Sequence, residues 1–200
     1  FYLPQDLPEP NDQSHTTKIV ELAEELIKIS RGRAFLLFTS FRALNEAASL
    51  LKDRLDYPLL VQGEAPRHEL LQLFRSTGDA VLLGTGSFWE GVDVKGDALS
   101  LVIIDKLPFA APDDPVLQAR SRAVRGAGLN PFMTLQLPQA VVALRQGAGR
   151  LIRSVDDRGV FVLCDVRLVS KSYGKIFTRS LPPMKRTRDF NEVSTFLDMN

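Results

Sequence analysis

The 200-residue chain has one cysteine, two histidines and one tryptophan. A single cysteine, Cys164, excludes an internal disulfide framework and a four-cysteine metal or iron–sulfur site within the chain. It lies in the apolar run Gly159 to Asp165 and reads as a buried structural thiol. His15 and His68 are too far apart in sequence, and too poorly partnered, to suggest a metal site. No apolar run approaches the length of a membrane span, and Phe1 to Pro10 has neither a basic n-region nor a signal-peptide core. A cytoplasmic location without a membrane partner is therefore expected. The start at Phe1, without methionine, reads as a piece of a larger protein. An excess of charge is lacking too: 25 Lys+Arg against 24 Asp+Glu leave a net +1. No global attraction to nucleic acid follows, so any basic surface is local. Arg120, Arg122 and Arg125, and Lys185, Arg186 and Arg188, are the candidates, with solvated surface charge as the plain reading of each. Also missing are a P-loop, an Asp-Glu pair on a strand for magnesium, and an obvious acid–base or nucleophile pair.

The residues present suit an ordinary globular domain, since 44% are hydrophobic and 24% charged, and the length can bury a core without staples. Residues 1–13 are proline-rich and acidic and read as a linker or edge segment. A helix with Ile19, Leu22, Ala23, Leu26 and Ile27 on one face follows, ended by Gly32. Ala34–Thr39 then reads as a buried strand, and Leu44, Ala47, Ala48, Leu51 and Leu55 as a second amphipathic helix. The alternation continues with strands at 59–62, 80–83, 99–104 and 159–165, and helices from Pro66, from Asp113 or Asp114, and over 137–144. The tail from 186 to 200 ends in a short helix carrying Val193, Phe196 and Leu197. Such alternation predicts an α/β fold, a mostly parallel sheet with helices on both faces. Ligands bind such sheets beyond the carboxyl ends of the strands. Thr39-Ser40, Gln62-Gly63, Gly84 to Ser87 and Asp105-Lys106 all fall there.

Two elements carry chemistry. Gln146-Gly147-Ala148-Gly149-Arg150-Leu151-Ile152-Arg153 sets Arg150 and Arg153 three apart, on one face if the segment is helical, with glycines that admit a close backbone or phosphate. Two guanidiniums suit a planar, charge-assisted grip on a transferring phosphate. Upstream, Gly84-Thr85-Gly86-Ser87 either cradles phosphate through backbone amides or is a tight turn after a strand. Trp89 stands where a dinucleotide fingerprint needs its third glycine. Glu90 and Asp93 are acceptors for a ribose or an arginine, or ordinary turn acids. Phe88 and Trp89 offer a stacking platform for a base, or core packing. Parts that grip phosphate, without those that bind nucleotide and metal, make half of a site.

These residues resemble the second RecA-like motor domain of superfamily 2 DNA helicases of the DinG/XPD group, and within it the YoaA branch of the DinG family. Phe38-Thr39-Ser40-Phe41 resembles motif IV, Gly84 to Asp93 motif V, and Gln146 to Arg153 motif VI. Asp105-Lys106-Leu107-Pro108-Phe109 and Asp113-Asp114-Pro115 share the family's character. The likeness covers roughly residues 14–185. It implies a RecA-like three-layer domain that meets ATP and Mg²⁺ held by an N-terminal RecA-like domain, with a [4Fe-4S] cluster also in that missing part. By resemblance, Arg153 is the arginine finger, Arg150 and Gln146 position the phosphates, and Glu90, Gly91 and Asp93 contact nucleotide. Ser40, Thr85, Ser87, Phe88 and Trp89 would contact single-stranded DNA. The resemblance further implies an ATP-driven DNA helicase acting in replication or repair, with a protein partner from those processes. The isolated chain is expected to be inactive. The competing readings are a self-contained nucleotide-binding enzyme and a non-catalytic DNA-binding or docking module.

Overall fold

Four runs, Ala34–Leu37, Val81–Gly84, Leu101–Ile104 and Val160–Leu163, are buried at every position. A strand apolar on both faces is stable only between two layers of helices. The computed structural model describes residues 1–89, 98–151 and 157–199, without the side chain of Ser87. In it the strands β1 (Ala34–Leu37), β2 (Leu59–Val61), β3 (Val81–Gly84), β4 (Leu101–Ile104) and β5 (Val160–Leu163) form one sheet in the order β2-β3-β1-β4-β5. All four pairings are parallel, with Phe35 opposite Leu82 on one side and Val102 on the other.

Alternation along the strands divides the core. Phe35, Leu37, Leu82, Val102, Ile104 and Phe161 point to one layer, built from α3 (Arg67–Thr77), α4 (Gly86–Trp89), α6 (Leu137–Ala148) and α8 (Gly174–Ser180). Ala34, Leu36, Phe38, Val81, Leu101 and Val162 point to the other, built from α1 (His15–Ser30), α2 (Phe41–Leu51) and α9 (Phe190–Asp198). The expected α/β layering is present. The short helix foreseen in the tail is α9, which buries Val193 and Leu197.

Local chemistry sets the boundaries. α1 ends where Arg31 turns left-handed and the Gly32 N–H donates to the Ile27 carbonyl at 3.0 Å. Gly32 is required there: its φ is +74°, and a Cβ would lie 1.8 Å from the Asp79 carbonyl oxygen. Of the two aspartates proposed as a cap, Asp114 fills the position. Its Oδ1 accepts from Leu117 N–H at 2.9 Å, ahead of Pro115 in α5 (Pro115–Gly126). Asn130 Oδ1 accepts from Phe132 N–H at 2.9 Å and opens a π-helical stretch, Phe132–Gln136, that runs into α6. Beyond β5, Tyr2 bridges Val162 and Thr187 in parallel, so both terminal segments cover that sheet edge. α7 (Arg167–Ser170) follows β5 directly. No helix among the described residues is long and apolar enough to cross a membrane.

Candidate functional site

Each strand delivers a polar residue just past its carboxyl end: Thr39 after β1, Gln62 after β2, Thr85 after β3, Asp105 after β4, and Asp165 two residues beyond β5. The chain passes from β3 across β1 to β4, so β1 lies where the winding reverses. Crevices open at such a point. A cleft of about 230 Å³ lies here, among Thr39, Gly86, Trp89, Pro108, Phe109 and Gln146.

A buried acid ties the rim together. Asp105 is 3% exposed and accepts from Thr39 N–H (3.0 Å) and Lys106 N–H (2.8 Å) through Oδ1, and from the Thr39 hydroxyl (3.1 Å) through Oδ2. Burial raises its carboxyl from 3.8 to about 7, against the opposing pull of Lys106 and the Thr39 hydrogen bonds. Behind it, the His15 ring nitrogens lie 3.1 Å from the Asp105 carbonyl oxygen and 3.1 Å from that of Pro8. Ser40 begins α2, its Oγ accepting from Ala43 N–H at 3.3 Å.

A second acid clamps the neighbouring turn. Asp165 accepts from Leu107 N–H at 2.8 Å and takes the Arg167 guanidinium at 2.7 Å from Nη2 and 3.0 Å from Nε. Burial alone would lower Arg167, but the Asp165 contact outweighs it and holds the guanidinium above its ordinary value. Arg167 also covers the Phe109 ring at 5.5 Å. Lys106-Leu107-Pro108-Phe109 is thereby fixed from both sides. Asp165 and Arg167 were missed as site residues. The available signal was an acid closing an all-apolar strand two residues before an arginine. Burial, with the Asp105 and Asp165 carboxylates, pushes the Cys164 thiol far above its usual range, as a structural thiol requires.

The predicted site residues separate into groups. Gln146 faces the cleft from α6, and its carbonyl accepts from Arg150 Nε at 3.1 Å, which places Arg150 beside it. α6 ends at Ala148, so half-buried Arg150 sits in the following turn rather than on a helical face. Gly147 serves packing: a Cβ there would meet Ile104 Cδ1 at 2.9 Å and Trp89 Cε3 at 3.1 Å. Thr85 is 6% exposed, and its N–H (2.6 Å) and hydroxyl (3.2 Å) both donate to Gln62 Oε1. Its hydroxyl therefore ties the turn after β3 to that after β2. Phe88 and Trp89 take the core-packing side of the two readings, with Trp89 also reaching the lining of the cleft. They are 1% and 5% exposed, built into the core between α6 and the sheet, with Arg67 over the Phe88 ring at 5.6 Å. Ser87 lies in α4. Glu90, Gly91, Asp93 and Arg153 lie outside the described residues.

Comparison with known proteins agrees with this geometry. Residues 23–184 match the family model of the helicase C-terminal domain. The chain is 49% identical over 193 residues to the ATP-dependent DNA helicase YoaA of Escherichia coli, covering 96% of the chain and 30% of that protein. It is 42% identical over 198 residues to the ATP-dependent helicase DinG of Mycobacterium tuberculosis, covering 98% of the chain and 30% of that protein. The chain thus spans about 30% of the length of these curated relatives. A solved XPD helicase superposes with a TM-score of 0.67 at 23% identity, covering 93% of the chain and 35% of that structure. That likeness establishes the RecA-like fold. Fold and sequence similarity agree, and the chain belongs to the helicase C-terminal domain family.

Proposed function

We propose that this domain is the arginine-donating half of an ATP-dependent DNA helicase. The observation that carries the reading is Arg150 held against Gln146 at the rim of the strand-end cleft. A guanidinium there can reach a phosphate presented from outside the domain. Arg153, two residues beyond Leu151, is the finger, and Arg150 and Gln146 orient the phosphates. Glu90, Gly91 and Asp93 complete the nucleotide contact. Among the described residues no cluster of His, Cys, Asp and Glu could hold a metal ion. On this reading Mg²⁺ and a [4Fe-4S] cluster would be held by the N-terminal part of the full-length protein. Mg²⁺ would neutralise charge on the transferring phosphates there. ATP favours the closed cleft because only then do these arginines meet its phosphates, and hydrolysis releases them.

Single-stranded DNA lies across the same rim. Ser40 and the amides opening α2 suit a phosphate, and so does the backbone at Gly86, where nothing lies within 4 Å of a Cβ position. Ser87 joins them. Thr85 shapes the loop from beneath, through Gln62. Domain closure would then ratchet the strand with little regard for its sequence. A cytoplasmic role in replication or repair, with a partner from those processes, belongs to this reading.

The test is the DNA-stimulated ATPase rate of the full-length protein, wild type against Arg153→Ala. The expected loss is a hundredfold or more, on the order of 3 kcal/mol in the barrier, with ATP binding retained. A rate near wild type would remove Arg153 from the transition state. The isolated 200-residue chain should show no turnover. Robust metal-dependent hydrolysis by the pure chain would sink the half-site reading.

A further inference from the structure

Charge is balanced over the chain but not along it. From Pro115 to Val155 there are Arg120, Arg122, Arg125, Arg145, Arg150 and Arg153, and no lysine, aspartate or glutamate. The first half of this stretch folds into α5 and the π-helical segment, which enclose a cleft of about 400 Å³. Beside Pro112, it is lined by Leu117, Gln118, Ser121, Arg122, Arg125 and Gln136, and among the described residues no carboxylate lines it.

The site is held in shape. Leu117 and Ser121 are buried at 8% and 5% and anchor α5, while Gln118 Nε2 donates to the Pro112 carbonyl at 3.2 Å. Asn130 fixes the start of the facing segment. Arg122 and Arg125 are exposed, and neither forms an ion pair among the described residues. Their i,i+3 spacing puts their Cβ atoms about 5–6 Å apart. That is comparable with the step between successive phosphates on a strand. Guanidinium forks grip phosphate oxygens in pairs, and carboxamide and hydroxyl groups add neutral donors beside them. This donor set fits a phosphodiester backbone. An acidic protein segment would instead want apolar anchors beside the charge, and among the described residues Leu117 and Pro112 are the only apolar side chains lining this cleft.

We propose that the α5 cleft is a second nucleic-acid site, in which Arg122 and Arg125 hold consecutive phosphates of single-stranded DNA. It is built from residues separate from Gln146, Arg150 and Arg153. It rests on the reading that the full-length protein acts on single-stranded DNA. A second grip on the same domain would keep the strand attached while the nucleotide cleft opens.

The test uses the full-length protein, a labelled oligo-dT and a KCl series, without nucleotide. Binding read this way does not depend on hydrolysis, so a failed ATPase assay leaves it standing. Each lost phosphate contact removes about 0.7 from the log–log salt slope, hence about 1.4 for R122Q/R125Q. Affinity at low salt should fall about tenfold or more. R122K/R125K, which keeps both charges, should return the slope to that of wild type. An unchanged slope in R122Q/R125Q, with a wild-type melting temperature, overturns the proposal and leaves a non-DNA ligand for the cleft. A slope lost equally in the lysine variant also overturns it, since the arginines then act through structure.

Discussion

Asp105→Asn should reverse its effect on stability with pH. Asp105 sits 3% exposed, with its carboxyl raised from 3.8 to about 7 by burial. The folded state therefore holds this proton more tightly than the unfolded chain. The resulting stabilisation is complete below pH 3.8 and is lost as pH rises through about 7. At about 1.4 kcal/mol per unit, the loss across that window is on the order of 4 kcal/mol at most. Asparagine carries no titrating proton. Its carbonyl can still accept from Thr39 and Lys106 N–H, and its amide can donate to the Thr39 hydroxyl, which now accepts. The variant should be no more stable than wild type at pH 5 and more stable at pH 8. Urea unfolding followed by Trp89 fluorescence measures this. With a slope of roughly 3 kcal/mol/M, the midpoint difference between the two proteins should change by about 1 M between those pH values. An equal difference at pH 5 and pH 8 would refute the desolvation argument.

Two further outcomes follow from the buried groups. Asp165→Ala strands the Leu107 N–H and the Arg167 guanidinium, whose side chain is only 23% exposed, and should cost about 3 kcal/mol in urea unfolding. Replacing Arg167 with Met in that background should recover part of the loss, and a cost under about 1 kcal/mol would mean that the clamp is solvated. Trp89, the sole tryptophan and 5% exposed, should resist iodide quenching and keep its emission when oligo-dT is added to the chain. Strong quenching by either would restore it as a stacking surface.

The alternation of strands and helices was legible because fully apolar runs such as Leu101–Ile104 cannot sit at a surface. Four of the five strand-end polar positions were legible for the same reason: each follows a run whose end is unmistakable. Asp165 was not, because its apolar run continues through Cys164 and the acid read as the last strand residue. Phe88 and Trp89 were ambiguous because an aromatic beside a glycine-rich turn looks the same whether it faces solvent or core. α4 turns both inward, and Gly147 lets α6 close over Trp89. The condition that would put Arg150 on a helical face is not met at Arg150 itself, because α6 stops at Ala148, before the arginine.

Sequence alone determined the layer architecture and the motif order, since both depend on residue type and spacing along the chain. Tertiary structure decided which polar groups share a cleft. Asp105 meets Thr39 across 66 positions and Asp165 meets Leu107 across 58, distances that no local pattern encodes. It also decided that Arg122 and Arg125 line a cleft with Gln118 and Gln136 and, among the described residues, no carboxylate, because only the fold brings α5 and the π-helical segment to the same cleft.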